Sequence, residues 1–326
     1  MPLTEFALIE RYFSHCGAAR RDVELGVGDD GALLRCPVGE DLVAAIDTLV
    51  AGVHFLPEAE PASIGHRALA VNLSDLAAMG ARPAWALLAL TLPRPDERWL
   101  EEFARGLGAL AGAHDVALVG GDTTQGPLCV TVQVLGHVPP GSALRRGGGG
   151  PGDALFLSGT AGDAAAGLLL EQGRLTLEDL AAAQELRERF AFPTPRVALG
   201  EQLREHANAC IDVSDGLLGD AAKLAAASGC GVEIALEELP LSRALVRAVG
   251  AERARHLALT GGDDYELCFS VPAAHLEELN RALPQERWDY RRIGTLREAA
   301  GVVVTRGGTV MQFSHSGFEH FAPWCP

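Results

Sequence analysis

One predicted helix constrains this chain more than any other segment, because it is apolar around nearly its whole circumference. The pattern predicts a helix over residues 61–80, with Leu69, Leu73 and Leu76 on one face and small or apolar residues on most of the remainder. A helix of this kind is buried between other layers of a protein. It nevertheless carries Asp75, and burial of a carboxylate is costly unless a cation or hydrogen bonds compensate the charge.

Three kinds of partner could compensate the charge of Asp75. The nearest cations in the sequence are Arg67 and Arg82. Arg67 lies two turns earlier and about 80° around the helix, while Arg82 follows the end of the helix. A bound metal ion is the second alternative, and a hydrogen bond that caps a neighbouring helix is the third. The residues of this segment leave the three open.

The length of the chain and one glycine-rich segment predict two domains. A single core rarely grows beyond about 250–300 residues, and the chain has 326. Residues 141–152 contain Arg145, Arg146 and four consecutive glycines, which favours either a flexible linker or a loop that holds phosphate. We therefore expect domains over residues 1–140 and 153–326, joined by a linker over residues 141–152.

The composition excludes several classes of function. A net charge of −16 disfavours binding to nucleic acid, which requires clustered cations. Lys223 is the only lysine and lies in a predicted helix, which excludes P-loop enzymes and protein kinases, since both place a lysine on phosphate. The apolar runs are too short to span a membrane, and we identify no signal peptide. Seven scattered cysteines without a CxxC pair predict a reducing cytoplasm and no structural zinc site.

The order of the predicted elements indicates a mixed sheet with helices on one side in the first half, followed by an alanine-rich α/β second half. A glycine motif over residues 26–31 matches the dinucleotide fingerprint GxGxxG. We reject that interpretation, because the fingerprint requires a following helix and residues 32–36 read as a strand that Pro37 ends. The two carboxylates of the motif would repel a bare pyrophosphate, although not one coated with metal.

Aspartates recur beside glycines or strand ends in loops far apart in the sequence. Mg²⁺ prefers oxygen ligands and is usually shared between one or two carboxylates and the phosphates of a substrate. If the loops converge, which is a hypothesis, the pattern predicts phosphoryl transfer that relies on metal ions rather than on lysine. The aspartates are Asp29, Asp30, Asp47, Asp75, Asp122, Asp212, Asp215, Asp263 and Asp264.

Several motifs resemble thiamine-monophosphate kinases, a family within the aminoimidazole ribonucleotide (AIR) synthetase superfamily, and the resemblance covers nearly the whole chain. The segment over residues 72–81, Asn-Leu-Ser-Asp-Leu-Ala-Ala-Met-Gly-Ala, is specific for the superfamily. The Val-His-Phe segment around His54 and the Gly-Phe-Glu-His-Phe segment around Phe318 favour the thiamine-monophosphate kinases. Further matching motifs are Gly28-Asp29-Asp30, Asp47-Thr48-Leu49, Gly120-Gly121-Asp122-Thr123 and Gly261-Gly262-Asp263-Asp264-Tyr265-Glu266-Leu267.

The resemblance implies a two-domain AIR synthetase-like fold of class α+β or α/β, with an N-terminal domain that binds ATP and Mg²⁺ and a homodimer joined through the N-terminal sheets. It implies that ATP and thiamine monophosphate react to ADP and thiamine diphosphate by direct in-line transfer with several Mg²⁺ ions. The implied metal ligands are Asp30, Asp47, Asp75, Asp122, Asp212 and Asp215. The implied ATP contacts are Gly121, Asp122, Arg146 and Ser214, and the implied substrate contacts are His54, Asp263 and Phe318.

The chain departs from the family pattern at two places. Ala45 and Ile46 stand where the family usually has hydroxyl residues, so only backbone carbonyls could contact a metal there. Asp263 stands where the family commonly has glutamate, one methylene longer, which puts its reach to the substrate in question. Taken without the resemblance, His54 fits a structural histidine better than a catalytic one.

The acceptor in this reaction is a phosphate monoester whose second pKa is about 6, so it is already a nucleophile at neutral pH. We therefore expect neither a covalent phospho-enzyme nor an essential general base. Two alternatives remain at this point. One is another ATP-dependent ligase or synthetase of the AIR synthetase superfamily, and the other is a non-catalytic, metal-dependent nucleotide-binding protein.

Overall fold

The computed structural model describes residues 4–313, and these form two compact units. The first unit comprises the described residues up to Leu76 together with Ala81–Ala143. The second comprises Ala77–Gly80 and the described residues from Leu144 onward. No helix in the described part of the chain has the length and apolar character needed to cross a membrane.

Over its described residues, the first unit contains three helices and six strands. The helices are α1 (Glu5–Tyr12), α2 (Pro61–Ala78) and α3 (Glu97–Ala113). The strands are β1 (Val23–Leu25), β2 (Leu33–Leu34), β3 (Asp41–Val50), β4 (Arg82–Leu92), β5 (Ala117–Gln125) and β6 (Cys129–Val138).

A mixed sheet in the order β3-β6-β4-β5 forms the centre of the first unit. Strand β6 is antiparallel to both of its neighbours, and β4 and β5 are parallel. Burial alternates along β3, with Val43 and Leu49 buried and Leu42 and Ile46 exposed. This alternation shows that one face of the strand packs inward and the other remains uncovered in the isolated chain.

Helix α2 is as buried as its sequence predicts, with Pro61, His66 and Asp75 half-exposed and its other residues buried. Helix α3 begins at the N-cap Asp96, whose carboxylate accepts a hydrogen bond from the Trp99 N–H. The two helices approach so closely that a Cβ atom on Gly106 would lie 1.9 Å from the carbonyl oxygen of Ala62. Glycine is therefore required at this helix crossing.

The second unit contains seven α-helices and seven strands over its described residues, with short 3₁₀ helices at Leu236–Glu238 and Ala273–His275. The helices are α4 (Asp163–Glu171), α5 (Leu180–Ala191), α6 (Val197–Leu203), α7 (Leu217–Ala227), α8 (Arg243–Thr260), α9 (Leu276–Ala282) and α10 (Gln285–Trp288). The strands are β7 (Ala154–Ser158), β8 (Ala209–Val213), β9 (Gly231–Ala235), β10 (Glu266–Val271), β11 (Tyr290–Arg297), β12 (Gly301–Arg306) and β13 (Thr309–Met311).

The seven strands form one sheet in the order β13-β12-β9-β11-β7-β10-β8. Most pairs are antiparallel, and β9 and β12 are parallel. Buried apolar residues of the strands and of α7 form its main core, including Leu157, Ile211 and Leu224. Helix α8 bends at Gly250, whose φ of 76° is not helical, so two helical segments meet end to end there.

The glycine run after Arg146 belongs to the second unit and packs closely against other backbone segments of that unit. A Cβ atom on Gly147 would lie 2.5 Å from the Ala227 carbonyl oxygen, and one on Gly148 would lie 2.3 Å from that of Asn208. The Gly149 N–H also donates to the Ser228 hydroxyl. These glycines allow close packing of backbone on backbone, which the composition of the segment did not indicate.

Candidate functional site

A pocket of about 600 Å³ in the first unit brings together three of the predicted site residues, Asp30, Gly121 and Asp122. One wall comes from the loop over residues 27–32 and another from β4 and the middle of β5. The remaining wall is apolar and includes Phe6 and Ile9 of α1. The pocket thus combines glycine backbone, carboxylates and apolar surface, as ligand sites commonly do.

A bulge in β5 re-orients the residues that precede Asp122. The pairing with β4 runs from Ala86 opposite Leu118 to Leu87 opposite Gly120, so Val119 is an additional residue in β5. The sequence predicted a loop at Gly120-Gly121-Asp122, and that prediction was wrong, because these residues continue the strand to Gln125. Gly121 has a φ of 151°, and a Cβ atom there would lie 1.8 Å from the Leu88 carbonyl oxygen.

The carboxylates of Asp30 and Asp122 are exposed in this pocket. Asp29 differs, because its carboxylate accepts a hydrogen bond of 2.8 Å from the Asp30 N–H and so stabilises its own loop. Two carboxylates beside glycine carbonyls fit Mg²⁺ as proteins usually hold it, completed by substrate phosphates. Among residues 4–313 no three His, Cys, Asp or Glu side chains form a preformed metal cage.

Asp47 lies at the opposite edge of the sheet from this pocket. It pairs with Val132, Val132 pairs with Leu88, and Leu88 pairs with Gly121. Three strand spacings separate Asp47 from Gly121, about 14 Å along the sheet. Asp47 and Asp122 of one chain are therefore too far apart to share one metal ion. Ile46 is 60% exposed and lies on the opposite face of β3 from Asp47.

His54 lies in the turn that follows β3. The ring nitrogen Nδ1 of His54 accepts a hydrogen bond of 3.0 Å from the backbone N–H of Val50. The backbone N–H of His54 donates to the Val50 carbonyl. An Nδ1 that accepts carries no proton, so the neutral imidazole carries its proton on Nε2. The ring is thereby fixed as a hydrogen-bond donor at Nε2.

Asp75 is half-buried in α2, and it has an interaction partner in the structure. The carboxylate is therefore less buried than the apolar pattern of the helix predicts, and its role as a metal ligand stays a prediction. Asn72, one turn earlier, is fully buried, and its side-chain amide donates to the Ala68 carbonyl of the same helix. Asp47 and Asp212 also have interaction partners.

Two loops of the second unit lie against each other and bring together further predicted residues. The Asp263 N–H donates to the Ser214 carbonyl at 2.8 Å, and the Tyr265 N–H donates to the Val213 carbonyl at 2.9 Å. Asp263 and Tyr265 both have positive φ, 72° and 51°, which is strained for residues other than glycine. Asp215 is half-exposed beside Ser214. Backbone strain at two positions so close in the sequence is typical of functional loops.

Asp212 and Asp264 are buried, in contrast to their neighbours Asp215 and Asp263. Asp264 accepts a hydrogen bond of 2.8 Å from the Gly162 N–H and so caps α4 from another loop. Burial raises the pKa of Asp264 well above its ordinary value of 3.8, although the Gly162 N–H acts in the opposite direction. Asp264 therefore stabilises the loop, while Asp263 is accessible to a ligand.

Arg146 and Ser214 are separated by the length of α7. The Arg146 carbonyl accepts a hydrogen bond from Ser228, which follows α7, while Ser214 precedes that helix. Eleven helical residues span about 16 Å. Arg146 and Ser214 could contact one nucleotide only at distant parts of it. Phe318, the third predicted substrate contact, lies outside the described residues.

Sequence reasoning did not identify Phe6 and Ile9 as pocket residues. The two residues recur at helical spacing, and Phe6 is 81% exposed. The amphipathic pattern of a short N-terminal helix cannot distinguish a core from a pocket wall.

The comparisons with known proteins cover both units. The family described as AIR synthase related protein, N-terminal domain, matches residues 28–138, and its C-terminal counterpart matches residues 150–307. The chain is 48% identical over 323 residues to the thiamine-monophosphate kinase of Escherichia coli K12, covering 99% of each protein.

Two solved structures agree with these matches. The thiamine-monophosphate kinase of Stenotrophomonas maltophilia K279a superposes with a TM-score of 0.85 at 47% identity, covering 95% of this chain and 99% of the other. A structure described as AaThiL complexed with AMPPCP and TMP superposes with a TM-score of 0.77 at 33% identity, covering 90% and 92%. With its two-domain AIR synthase-like fold, this chain belongs to the thiamine-monophosphate kinase family.

Proposed function

We propose that this chain transfers the terminal phosphoryl group of ATP to thiamine monophosphate, giving thiamine diphosphate and ADP. The observation that carries the proposal is the pocket where Asp30, Gly121 and Asp122 meet in a member of this family. A relative of known structure binds an ATP analogue and TMP, which supports both substrates. ATP and thiamine monophosphate are accordingly the partners we assign to the chain.

Six carboxylates are the proposed ligands of several Mg²⁺ ions. When bound, Mg²⁺ would neutralise phosphate oxygens and so reduce the repulsion between two anionic substrates. The separation of Asp47 from Asp122 along the sheet supports more than one ion. The proposed metal ligands are Asp30, Asp47, Asp75, Asp122, Asp212 and Asp215.

The remaining proposed contacts divide between the two substrates. Gly121, Asp122, Arg146 and Ser214 would contact ATP. His54, Asp263 and Phe318 would line the thiamine phosphate site. His54 is suited to a phosphate oxygen, because the Val50 N–H at Nδ1 fixes the imidazole proton on Nε2, from where it can donate.

No side chain needs to act as a general base in this reaction. The acceptor phosphate is already ionised near neutral pH, since its second pKa is about 6. We expect direct in-line transfer without a phosphorylated residue. Rapid quenching in denaturing detergent at neutral pH, with ATP labelled in the γ-phosphate, should leave no label on the protein, and a labelled aspartate or histidine would overturn this expectation.

We also infer a homodimer and a cytoplasmic location. The uncovered face of β3 carries Leu42 and Ile46, which are 55% and 60% exposed, and it supports association through the N-terminal sheets. The six cysteines in the described range are free thiols, which supports a reducing compartment.

A turnover assay tests the proposed function. The purified chain, ATP, Mg²⁺ and thiamine monophosphate should yield equal amounts of thiamine diphosphate and ADP, separated by chromatography. Asp122→Asn should reduce the rate at least about tenfold, which corresponds to 1.4 kcal/mol of lost transition-state stabilisation. Asp41→Asn, a change of the same kind at an exposed strand end, should leave the rate unchanged. Absence of thiamine diphosphate with the unaltered chain would contradict the proposal.

A further inference from the structure

The only lysine of the chain, Lys223, takes part in a chain of contacts that ends on one proposed metal ligand. Its Nζ donates to Asp215 Oδ2 at 2.6 Å and to Asp220 Oδ1 at 2.8 Å. Asp220 and Lys223 lie one turn apart on α7, and Asp215 lies in the loop before that helix. The Asp220 side chain is 1% exposed, whereas those of Asp215 and Lys223 are 36% and 45% exposed.

The second oxygen of Asp220 holds the backbone of the loop. Oδ2 accepts hydrogen bonds from the consecutive N–H groups of Ser214, Asp215 and Gly216, at 3.0, 3.0 and 3.2 Å. Such a set of N–H groups before a helix is a common binding site for phosphate. Here a carboxylate of the same chain occupies it, so this helix end offers no free N–H group of residues 214–216 to a phosphate.

The arrangement leaves Asp215 as the accessible acid of the loop, with a cation already bound to it. Within the described residues, Asp215 and Asp220 are the hydrogen-bond acceptors of Lys223. A divalent cation that binds Asp215 must compete with this ammonium group for the same carboxylate. Even if both remained bound, the positive charge of Lys223 would oppose a second cation nearby.

We propose that Asp220 and Lys223 are positioning residues of the 214–216 loop, in which Asp220 fixes the backbone and Lys223 is a counter-ion that Asp215 exchanges for a divalent cation. This inference rests on the proposed function in one respect, because it takes Asp215 to be a metal ligand. It assigns Lys223 a role in setting the affinity for the metal, and it explains why a lysine lies here although no lysine lies in a phosphate loop.

A titration with the metal alone tests the exchange. Mn²⁺, a paramagnetic substitute for Mg²⁺, is titrated into the full chain without nucleotide and followed by electron paramagnetic resonance. Lys223→Met should tighten binding at the Asp215 site by about two- to fivefold, as expected for loss of one partly exposed ion pair. Lys223→Arg keeps the charge and should restore the weaker affinity of the unaltered chain.

Two controls make the result specific. Arg247→Met removes a cation from an exposed ion pair with Asp179 elsewhere in this unit and should leave Mn²⁺ affinity unchanged. In an Asp215→Asn background, Lys223→Met should no longer change Mn²⁺ affinity, since the carboxylate for which the two cations compete is absent. Unchanged or weaker Mn²⁺ binding by Lys223→Met, in a chain with normal thermal stability, would overturn the proposal.

A second measurement uses the single lysine as its own probe. Acylation of Lys223 by an amine-reactive ester, at fixed pH and matched ionic strength, should accelerate at least twofold when saturating Mg²⁺ is added. The Asp215→Asn variant should show no acceleration. Because this readout requires no turnover, a chain that makes thiamine diphosphate but shows no acceleration overturns only the exchange. A chain with acceleration but no product contradicts only the proposed function.

Discussion

Among the described residues of the second unit, Glu266 is the most completely buried charged residue. Its hydrogen-bond partners explain how a charged carboxylate can be stable there. Its side chain is fully buried, and Arg196 donates to both carboxylate oxygens, each at 2.6 Å. Arg189 and the Ser158 hydroxyl donate as well. A buried carboxylate with all these donors is stable as an ion, whereas loss of one member leaves the remaining charges uncompensated.

Glu266→Gln should therefore lower the free energy of unfolding at neutral pH by about 3–5 kcal/mol. Urea denaturation measures this change. Glu102→Gln removes a carboxylate from an exposed ion pair with Arg105 and should have little effect. A loss for Glu266→Gln no larger than that for Glu102→Gln would show that the buried ion pairs contribute little.

The effect of Glu266 should also depend on pH. Burial acts to raise its pKa, but the charges and hydrogen bonds of Arg196 and Arg189 outweigh burial and hold the pKa below its ordinary value of 4.5. A lowered pKa in the folded state adds stability above the unfolded-state pKa, and this stability is lost as pH falls through the folded-state value. The difference in stability between the unaltered chain and Glu266→Gln should thus be constant above about pH 5 and shrink below pH 4.5.

Asp47 and Asp75 permit a test of the metal assignment at the level of single atoms. Asp47→Asn and Asp75→Asn keep the size of the side chain and remove only the charge. Each should lose most turnover, at least about tenfold, while circular dichroism and the melting temperature remain close to those of the unaltered chain. Near-normal turnover of either variant at low Mg²⁺ would show that its carboxylate is not a metal ligand.

The crossing of α2 and α3 depends on two glycines, one from each helix. Gly65 of α2 faces the Phe103 carbonyl, and Gly106 of α3 faces the Ala62 carbonyl, where an added Cβ atom would lie 2.2 and 1.9 Å from the respective oxygens. Gly112, near the end of α3, has no atom within 4 Å of such a Cβ. The same substitution therefore has opposite effects at two positions of one helix.

Gly106→Ala should destabilise the protein by about 1–3 kcal/mol, because the two helices must separate. Gly112→Ala should stabilise it by about 0.5–1 kcal/mol, because alanine loses less conformational entropy in a helix. Thermal unfolding of both variants checks the pair. Equal shifts for Gly106→Ala and Gly112→Ala would contradict the close approach.

The helix with the long apolar pattern was predicted from the sequence: the range 61–80 contains α2, which ends at Ala78. The two-residue strand β2 also lies within the strand predicted over residues 32–36. The strands β1 and β13 were missed, since three residues carry no period. The strand at Gly120-Gly121-Asp122 was read as a loop, because glycine and aspartate are typical of turns and the bulge at Val119 depends on pairing with β4.

For the candidate site, the sequence predicted individual residues, whose roles stay predictions, but not how those residues are grouped in space. Glycine and aspartate identified Asp30 and Asp122, and the pocket that joins them depends on where two distant segments lie in space. The separation of Asp47 from Asp122 follows from strand order, which no local pattern encodes. Asp220 was missed because its carboxylate acts by accepting hydrogen bonds from three backbone N–H groups, and the loop that presents these groups forms only in the folded chain.

At the scale of the whole molecule, the uncovered face of β3 is the feature that a single chain leaves unexplained. Leu42, Ile46 and Val50 alternate along this face, and they are 55%, 60% and 36% exposed. An apolar row on an extended strand is costly in water and favours association with a matching surface. A second copy of the chain carries the same exposed apolar residues on its β3, and a twofold-symmetric interface uses the same surface of both subunits.

Ile46→Asp should therefore convert the proposed dimer into monomers, because a symmetric interface would bury two additional carboxylates without partners. Sedimentation equilibrium should give twice the chain mass for the unaltered protein and the chain mass for Ile46→Asp. Val310→Asp is the matched control, since Val310 is 61% exposed on β13, a strand of the second unit that does not belong to the N-terminal sheet. A dimer that persists in Ile46→Asp, or one that dissociates in Val310→Asp, would place the interface elsewhere.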